Sequence, residues 1–171
     1  MSDITLKAPA KVNLYLHITG KREDGYHLVD SLVSFTDFGD MVTVSPAEEL
    51  SLTASGHYAD GMPMDDSNLV LRMARRLQEE TGCTKGAKIH IDKEIPVSAG
   101  VGGGSTDAAA AANALVQLWG VDISLQRLCE IGFELGVDMP VCINRKTVFV
   151  DGLGEQMTAA EPIPENGLLL V

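Results

Sequence analysis

The sequence predicts an α+β fold in which helices pack on a mostly antiparallel or mixed sheet. Strand patterns fill the first third of the chain, an amphipathic helix and an alanine-rich helix come later, and short strand patterns recur between and after the helices. With 171 residues, of which 45% are hydrophobic and 22% charged, the chain is long enough to bury the core of one domain, or of one domain plus part of another.

Strand patterns come first in the chain. Residues 12–18 alternate in polarity with a period of two, as a half-buried strand does. One face of this strand carries Val12, Leu14, Leu16 and Ile18, and the other carries Asn13, Tyr15 and His17. After a charged turn, apolar and β-branched stretches predict strands near 28–36, 41–45, 50–54, 88–92, 147–150 and 167–171.

The first helix is predicted over residues 67–81. Asp66 or Ser67 is its expected N-cap, and Gly82 is expected to end it. Its apolar stripe, at helical spacing, consists of Leu69, Val70, Met73, Ala74 and Leu77. The stripe indicates an amphipathic helix with one buried face.

Two further helices follow the glycine-rich segment near residue 100. One begins at Ser105, and its stretch 107–118 contains six alanines and no glycine or proline. This composition gives high helix propensity and a small-residue face suited to close packing. The other helix is predicted over 124–135, with Ser124 as its N-cap and Gly136 at its end.

The formal net charge of -11 argues against nucleic acid or an anionic membrane as a partner, because both are bound chiefly through clustered lysine and arginine. One basic group stands apart near the start of the chain: Lys7, Lys11, Lys21 and Arg22. On charge alone, a solvated surface run is the favoured interpretation, and a pocket for an anionic ligand is the alternative. No apolar run approaches the ~20 residues of a membrane span, so we expect a soluble protein.

The cysteines and the end of the chain bear on location and domain number. Cys83, Cys129 and Cys142 lack paired spacing, so neither a disulfide framework nor a zinc site is expected, and the cytoplasm is the expected location. The last residues stop inside an apolar strand pattern. We therefore expect one domain over 1–160 and only the start of a second, C-terminal domain over 161–171. A terminal strand docked in the sheet is the alternative.

Four of the five residues from Gly100 to Gly104 are glycine, and a helix pattern follows at once. Such a backbone can approach a ligand closely, and the helix start adds free N–H donors and the positive end of the helix dipole. The segment is therefore a candidate phosphate loop. A tight structural turn capped by Ser105 or Thr106 is the alternative for a glycine cluster taken alone.

Two familiar phosphate motifs do not fit this segment. The Walker A pattern requires Gly-Lys followed by Ser or Thr, whereas Ser105 follows Gly104. The dinucleotide pattern from Gly100 meets Gly102 but has Ser105 in place of its third glycine or alanine. Asp107, in the first helical turn, would repel phosphate without an intervening cation, so we interpret it as a helix-stabilising acid that points away from the ligand.

The segment resembles the ATP loop of the GHMP kinase superfamily, which reads Pro-x-x-x-Gly-Leu-Gly-Ser/Gly-Gly-Ser-Ser. The matching residues are Pro96, Val97, Ser98, Ala99, Gly100, Val101, Gly102, Gly103, Gly104, Ser105 and Thr106. Three more stretches resemble, in order, the branch of the superfamily that acts on a cytidine-diphosphate-linked alcohol: Ala8–Leu14, Arg22–His27 and Leu135–Pro140. Val101, Thr106 and Met139 depart conservatively from the usual residues.

This resemblance covers essentially the whole chain. It implies a GHMP kinase N-terminal domain with the ribosomal protein S5 domain 2-like fold and its left-handed βαβ unit, and the family continues with a C-terminal domain. The implied reaction moves the γ-phosphoryl group of ATP to a hydroxyl of cytidine-diphosphate-linked methylerythritol, in non-mevalonate isoprenoid precursor biosynthesis. The only partner implied is this small-molecule substrate, and the oligomeric state stays open.

The resemblance also implies roles for individual residues. Asp138 would accept the hydroxyl proton, and Lys11 beside it would stabilise the carboxylate and the developing negative charge. Tyr26 and His27 would recognise the cytosine, and Asn13 would hydrogen-bond the substrate. Taken alone, Asp138 is an ordinary turn residue, Lys11 a solvated charge, and the aromatic pair a local packing device.

The nucleotide side is implied in the same way. Asn68 and Leu69 resemble residues that hold the adenine, and Lys93 resembles one near the nucleotide. Mg²⁺ is expected to arrive with ATP, with Ser105 as a candidate ligand. Taken alone, Asn68 is a helix-start residue and Lys93 a surface charge. A kinase for mevalonate-like or sugar substrates, or a nucleotide-binding module without catalysis, is the alternative function.

Overall fold

The computed structural model describes residues 2–161, 163–164 and 166–169. Its strands are β1 (Ile4–Lys21), β2 (His27–Ala47), β3 (Leu50–Ser55), β4 (Gly86–Asp92), β5 (Val148–Gly152) and β6 (Gln156–Ala159). Its helices are α1 (Leu69–Thr81), α2 (Gly103–Trp119), α3 (Leu125–Phe133) and α4 (Met139–Asn144), and a single turn of 3-10 helix spans Ala59–Gly61.

The sheet is built on a long antiparallel ribbon of β1 and β2. On its other side, β2 pairs with two more strands. The second half of β2 pairs with β4, and the first half of β2 pairs with β5. Strand β3 adds to β4 in parallel, and β6 adds to β5 antiparallel. Among the described residues only the β3–β4 ladder is parallel, so the predicted α+β fold with a mostly antiparallel or mixed sheet is confirmed.

Helix α2 packs its alanine-rich face onto β1 and β2 and also contacts α1 and α4. Its buried alanines are Ala108, Ala109, Ala110, Ala111, Ala112 and Ala114. Because these side chains are small, the helix lies close to the sheet, and larger buried residues such as Met73, Leu77, Ile89 and Ile91 fill the remaining core. This packing fixes the start of α2 at one place above the sheet.

The expected split of residues 12–18 into one apolar and one polar face is wrong. A β-bulge between Asn13 and Tyr15 inserts an extra residue into β1, which turns the later residues to the opposite face. Tyr15 therefore leaves the face of Asn13. Leu16 and Ile18, which are 57% and 66% exposed, join that face instead of entering the core.

The predicted first helix keeps its position, but its N-cap differs. Asn68 caps α1, because its Oδ1 accepts a hydrogen bond from the N–H of Val70 at 2.8 Å. Asp66 instead pairs with Arg75, and the Ser67 hydroxyl donates to a neighbouring aspartate. The expected cap at Asp66 or Ser67 is therefore wrong, since both side chains are engaged elsewhere.

The later helices differ from the prediction mainly at their ends. Helix α2 begins at Gly103, two residues before the predicted start, because the glycine loop already turns into helical geometry there. Ser124 caps α3 as predicted, but α3 ends at Phe133 instead of continuing to Gly136. A tight turn then leads to α4. In this turn, the N–H groups of Leu135 and Gly136 both donate to the carbonyl of Gly132.

Helix α4 and strand β6 were not predicted, because each is too short to show a periodic pattern. The strands predicted at 28–36 and 41–45 form one continuous strand, β2. The strand predicted at 167–171 is not present over 167–169, and residues 170–171 lie outside the described residues. The boundary between domains at 160 and 161 stays a prediction.

The cysteines Cys83, Cys129 and Cys142 carry free thiols. Burial raises the pKa of the Cys142 thiol to about 12. In the described part of the chain, no helix combines the length and the apolar character that crossing a membrane requires.

Candidate active site

The glycine loop, residues 96–102, leads into α2 and is separated from the end of β4 by residues 93–95. Ser98, Gly100 and Gly102 have φ values of 62°, 77° and 68°, in the left-handed region that favours glycine. Left-handed residues that alternate with ordinary ones turn successive N–H groups toward one side and form an anion-binding concavity. The first turn of α2 adds more free N–H groups and the positive end of its dipole.

The loop is attached to β1 at Lys11. The backbone N–H of Lys11 donates to the carbonyl of Val101 at 2.8 Å. A Cβ atom added at Gly102 would lie 3.1 Å from both Cβ and Cε of Lys11. Gly102 is therefore required for its φ and for the close approach of the lysine stem, and the loop and Lys11 are fixed relative to each other.

The Lys11 ammonium group lies between the loop and Asp138. Its Nζ is 3.4 Å from Oδ2 of Asp138, and the lysine side chain is only 6% exposed, whereas the aspartate is 49% exposed. Asp138 directly precedes α4 but makes no capping hydrogen bond, so its carboxylate is free to face Lys11 and an incoming ligand. A carboxylate that can accept a proton thus lies beside a cation that can stabilise negative charge.

Asn13 joins this pair from the same strand. The Lys11 ammonium donates to Asn13 Oδ1 at 2.8 Å, and Asn13 Nδ2 donates to the Ser31 hydroxyl at 2.7 Å. The amide predicted to contact substrate therefore has protein partners at both of its ends. Ser31 is a site residue that the sequence reasoning missed, because nothing in the pattern of β2 separates it from an ordinary strand serine.

A cavity of about 380 Å³ opens on the other side of the loop. The residues that line it include Asn68, Leu69 and Lys93, together with the loop and the first residues of α2. Asn68 is both the N-cap of α1 and part of this wall. The structure thus brings the residues predicted for the adenine side together with the predicted phosphate loop.

Lys93 is buried between two carboxylates. Its Nζ donates to Asp40 Oδ2 at 2.5 Å and to Asp107 Oδ2 at 2.9 Å, and the three side chains are at most 3% exposed. The other oxygen of Asp40 accepts from the N–H groups of Glu94 and Ile95 at 2.6 and 2.7 Å. The Lys93 charge is therefore neutralised inside the protein, and the interpretation of Lys93 as a surface charge is wrong.

Asp107 turns its carboxylate into the core toward Lys93, not toward solvent. Its Oδ1 has no hydrogen-bond partner among the described residues, and burial raises the pKa of this carboxyl to about 7, against the opposing effect of the Lys93 charge. Asp40 was not foreseen from the sequence. An acid within a long strand carries no motif, and its role follows only from the three donors that surround it.

Tyr26 and His27 lie at the far end of the β1–β2 ribbon. His27 is on the same face of β2 as Ser31. Phe35 pairs with Lys11 across the ribbon, and at the usual rise per residue it lies roughly 26 Å from His27 along β2. Tyr26 is 57% exposed. A ligand that touches both this end and Lys11 must be elongated.

The basic residues near the start of the chain do not form one pocket. Lys7 donates to a backbone carbonyl and Arg22 pairs with Asp24 at the surface, as expected of a solvated charge run. Lys11 is the exception, because it is buried at the site. The distribution of charge in the sequence did not distinguish Lys11 from the other basic residues, whereas its position in the Ala8–Leu14 motif did.

The hydroxyls at the start of α2 differ in availability. Thr106 Oγ1 donates to the carbonyl of Gly103 at 2.9 Å, whereas the Ser105 hydroxyl has no side-chain hydrogen bond to another described residue. Ser105 therefore offers one free oxygen beside the phosphate concavity, which fits a cation that keeps most of its other ligands from water and phosphate. In residues 2–161, 163–164 and 166–169, no group of three or more His, Cys, Asp or Glu side chains is arranged to hold a metal ion.

Known proteins resemble this chain in sequence. Residues 68–146 match the family described as GHMP kinases N terminal domain. A curated relative from Paramagnetospirillum magneticum, named 4-diphosphocytidyl-2-C-methyl-D-erythritol kinase, is 48% identical over 171 residues, which is 100% of this chain and 60% of that protein. A relative of the same name from Mesorhizobium japonicum is 44% identical over 169 residues, 98% of this chain and 57% of that protein.

Solved structures are similar as well. A crystal structure of 4-(cytidine 5'-diphospho)-2C-methyl-D-erythritol kinase has a TM-score of 0.76 and 33% identity, over 92% of this chain and 55% of that one. The mevalonate kinase of Methanococcus jannaschii has a TM-score of 0.68 at 13% identity, over 94% of this chain and 56% of that one, and so shares the fold. The chain spans between 55% and 60% of the length of these four proteins.

Proposed function

Because the chain carries the GHMP kinase N-terminal domain, we propose that the protein phosphorylates a hydroxyl of 4-diphosphocytidyl-2-C-methyl-D-erythritol with ATP. This reaction belongs to non-mevalonate isoprenoid precursor biosynthesis. Relatives that are 48% and 44% identical bear the name of this kinase, which supports the substrate. The net charge of -11 supports a small-molecule partner, with neither nucleic acid nor an anionic membrane as a partner. The three free cysteine thiols support the cytoplasm as the location.

One observation carries the proposal: Lys11 connects an anion-binding loop to a proton-accepting carboxylate. Its backbone N–H binds the loop at Val101, and its ammonium group lies 3.4 Å from Asp138. Phosphoryl transfer needs the phosphate and the alcohol oxygen held in line more than it needs covalent help from the protein. A site with its phosphate half and its alcohol half joined at one residue meets that need.

In the proposed mechanism, the loop N–H groups and the start of α2 hold the ATP phosphates, and Asn68, Leu69 and Lys93 line the pocket of the adenine side. The alcohol oxygen approaches Asp138, which accepts its proton, while Lys11 stabilises the negative charge that develops. Mg²⁺, which Ser105 would help to hold, supplies neutralisation of the phosphate charges. A loose transition state needs little activation of the nucleophile, so Asp138 acts by positioning the alcohol as well as by accepting its proton.

The substrate length supports the choice of alcohol. His27 lies far from Lys11 along the same face of the ribbon, with Tyr26 next to it in the chain. A cytosine held there by stacking and hydrogen bonds would leave the ribose, the diphosphate and the methylerythritol to span the distance. A short alcohol such as mevalonate would reach only the Lys11 end. This difference favours the cytidine-linked alcohol over the substrates of other GHMP kinases.

The test is an ADP-release assay in which the protein receives ATP and Mg²⁺ with either the cytidine-linked methylerythritol or mevalonate. We expect ADP release with the first alcohol only. Release with mevalonate alone would assign the protein to another branch of the superfamily, and the proposed substrate would then be abandoned.

A second candidate function is nucleotide binding without catalysis. The observation that favours it is that the cavity beside the glycine loop is lined by neither Lys11 nor Asp138, so a nucleotide bound there does not depend on the residues proposed for catalysis. Calorimetry of residues 1–171 with ATP, beside turnover of the same chain and of a longer one, separates the two functions. Binding without turnover, with turnover restored in the longer chain, would support the second candidate for this chain.

A further inference from the structure

We propose that Ser31 is a positioning residue that holds the Lys11 ammonium group in place through the side-chain amide of Asn13. This inference rests on the proposed kinase function. Ser31 is 1% exposed, and among the described residues its hydroxyl hydrogen-bonds only Asn13 and Tyr15, so its route to the reaction runs through Asn13 and Lys11.

The hydrogen bonds that link these residues can run in only one direction. The Lys11 ammonium group has donors only, so the atom of Asn13 that faces it, at 2.8 Å, is the carbonyl oxygen. The amide nitrogen then faces Ser31 Oγ at 2.7 Å and donates to it. The Ser31 hydroxyl in turn donates to the backbone carbonyl of Tyr15 at 2.6 Å, which can only accept.

The consequence is a fixed amide orientation. Because the Ser31 proton is committed to the Tyr15 carbonyl, its oxygen is available only as an acceptor, and only the amide nitrogen of Asn13 satisfies it. A flipped Asn13 would present N–H groups to the Lys11 ammonium and its oxygen to an occupied hydroxyl. Ser31 therefore selects the orientation in which Asn13 accepts from Lys11.

The strand geometry makes this selection rigid. Ser31 is in the middle strand of three, paired with Leu16 on β1 and with Val150 on β5. The β-bulge between Asn13 and Tyr15 brings the amide of one and the carbonyl of the other to the same hydroxyl. The bulge thus orients specific groups beside the site, as β-bulges near active sites often do.

Loss of the hydroxyl is expected to act on the chemical step and not on ATP binding. Lys11 meets the glycine loop through its backbone N–H and its aliphatic stem, and neither contact involves Asn13 or Ser31. In Ser31→Ala, the ammonium group is freer to move from Asp138. We therefore expect kcat to fall by roughly 10- to 100-fold, as for a small misplacement of a reacting group, with KM for ATP unchanged.

The kinetic experiment compares Ser31→Ala, Ser31→Thr and the matched control Ser34→Ala with the wild type. Ser34 is on the same strand and hydrogen-bonds Thr147 at 3.0 Å, with no link to Lys11. The expected result is a lower kcat in Ser31→Ala only, with recovery in Ser31→Thr, which keeps the hydroxyl. Wild-type kcat in Ser31→Ala, or an equal loss in the alanine and threonine variants, overturns the inference.

A second measurement does not depend on activity or on a substitution of Ser31. The side-chain amide protons of Asn13 are identified in the NMR spectrum of the wild-type protein as the pair lost in Asn13→Ala, and their exchange with solvent is followed. We expect slow exchange, and exchange as fast as that of a free asparagine amide overturns the inference. A wild type with slow exchange but no kinase activity would refute the proposed function and leave the orientation of Asn13 standing.

Discussion

At the scale of single residues, Gly102 shows how the loop and the lysine constrain each other. Its φ is +68°, and an added Cβ would meet the Lys11 stem at 3.1 Å. Gly102→Ala therefore has to move either the loop or the lysine. A left-handed non-glycine residue costs roughly 1–2 kcal/mol, so we expect the Kd for ATP to rise about tenfold in calorimetry.

Gly82 provides the matched control for this change. It follows the last turn of α1 with a φ of +66°, and nothing lies within 4 Å of an added Cβ. Gly82→Ala therefore carries the same backbone cost away from the loop, and we expect its Kd for ATP to stay within about a factor of two of the wild type. Equal weakening in both variants would show that lost stability, and not the contact with Lys11, weakens ATP binding.

Asp138 tests the chemical half of the site. Asp138→Ala removes the proton acceptor and the ion pair of Lys11, while the loop contacts stay in place. We expect kcat to fall by roughly 10²- to 10⁴-fold with little change in ATP affinity. Steady-state turnover and calorimetry measure the two quantities, with the exposed Asp122→Ala as control. Unchanged turnover would remove Asp138 from the mechanism.

The residues of the site differ in how far the sequence could predict them. Lys11 and Asp138 were found because each lies in a family-like motif, although each alone is an ordinary polar residue. Ser31 and Asp40 could not be found, because their roles depend on which side chains the fold brings to them from other strands. Hydrogen-bond partners distant in sequence leave no local pattern.

At the scale of elements, an ion-pair network joins α1 to α3. Arg127 donates to both oxygens of Glu80 at 2.7 and 2.9 Å, and Arg76 donates to Glu80 at 3.1 Å and to Glu134 at 2.9 Å. Hydrogen bonds from Arg127 lower the pKa of Glu80 from 4.5 to about 2. The network therefore depends on an ionised Glu80.

This network predicts a pH dependence of stability. A carboxyl whose pKa is lowered on folding stabilises the fold above its unfolded pKa and loses that effect as pH falls toward its folded pKa. Glu80→Gln should therefore destabilise the protein at pH 7, and the difference from the wild type should shrink between pH 4.5 and about 2. Chemical denaturation at several pH values measures it. Glu79→Gln, an adjacent exposed position, is the control and should show no such trend.

The sequence predicted the positions of the helices and strands better than their ends or the faces on which their residues lie. The stripe of α1 and the alanines of α2 have strong periodicity or propensity, and both helices were predicted. The predicted N-cap of α1 was wrong because Asp66, Ser67 and Asn68 can each cap a helix. Only the other hydrogen-bond and ion-pair partners of these side chains decide which one does. The face reversal in β1 comes from a bulge, which a period-two pattern cannot reveal.

At the scale of the whole molecule, the buried cluster of Asp40, Lys93 and Asp107 connects the sheet, the loop and α2. Lys93→Met would leave two buried carboxylates without a counter-charge, and we expect it to cost about 3–5 kcal/mol of unfolding free energy. Asp107→Asn leaves one ion pair intact and should cost less. Urea denaturation measures both, and a Lys93→Met variant as stable as the wild type would contradict the role of this cluster.

The overall α+β class and mixed sheet were predictable because burial and turn chemistry are local properties. The joining of strands into one long ribbon, and the meeting of loop, Lys11 and Asp138, depend on long-range packing. The sequence therefore grouped the proposed site residues only through their resemblance to a family. Its partners, distances and charge balance came from the fold.

The proposed kinase reaction is tested most directly by ³¹P NMR of the protein mixed with ATP, Mg²⁺ and 4-diphosphocytidyl-2-C-methyl-D-erythritol. We expect the ATP signals to be replaced by those of ADP and by an equal amount of a new phosphomonoester on the alcohol. ADP accompanied by free inorganic phosphate, with the alcohol unchanged, would contradict it.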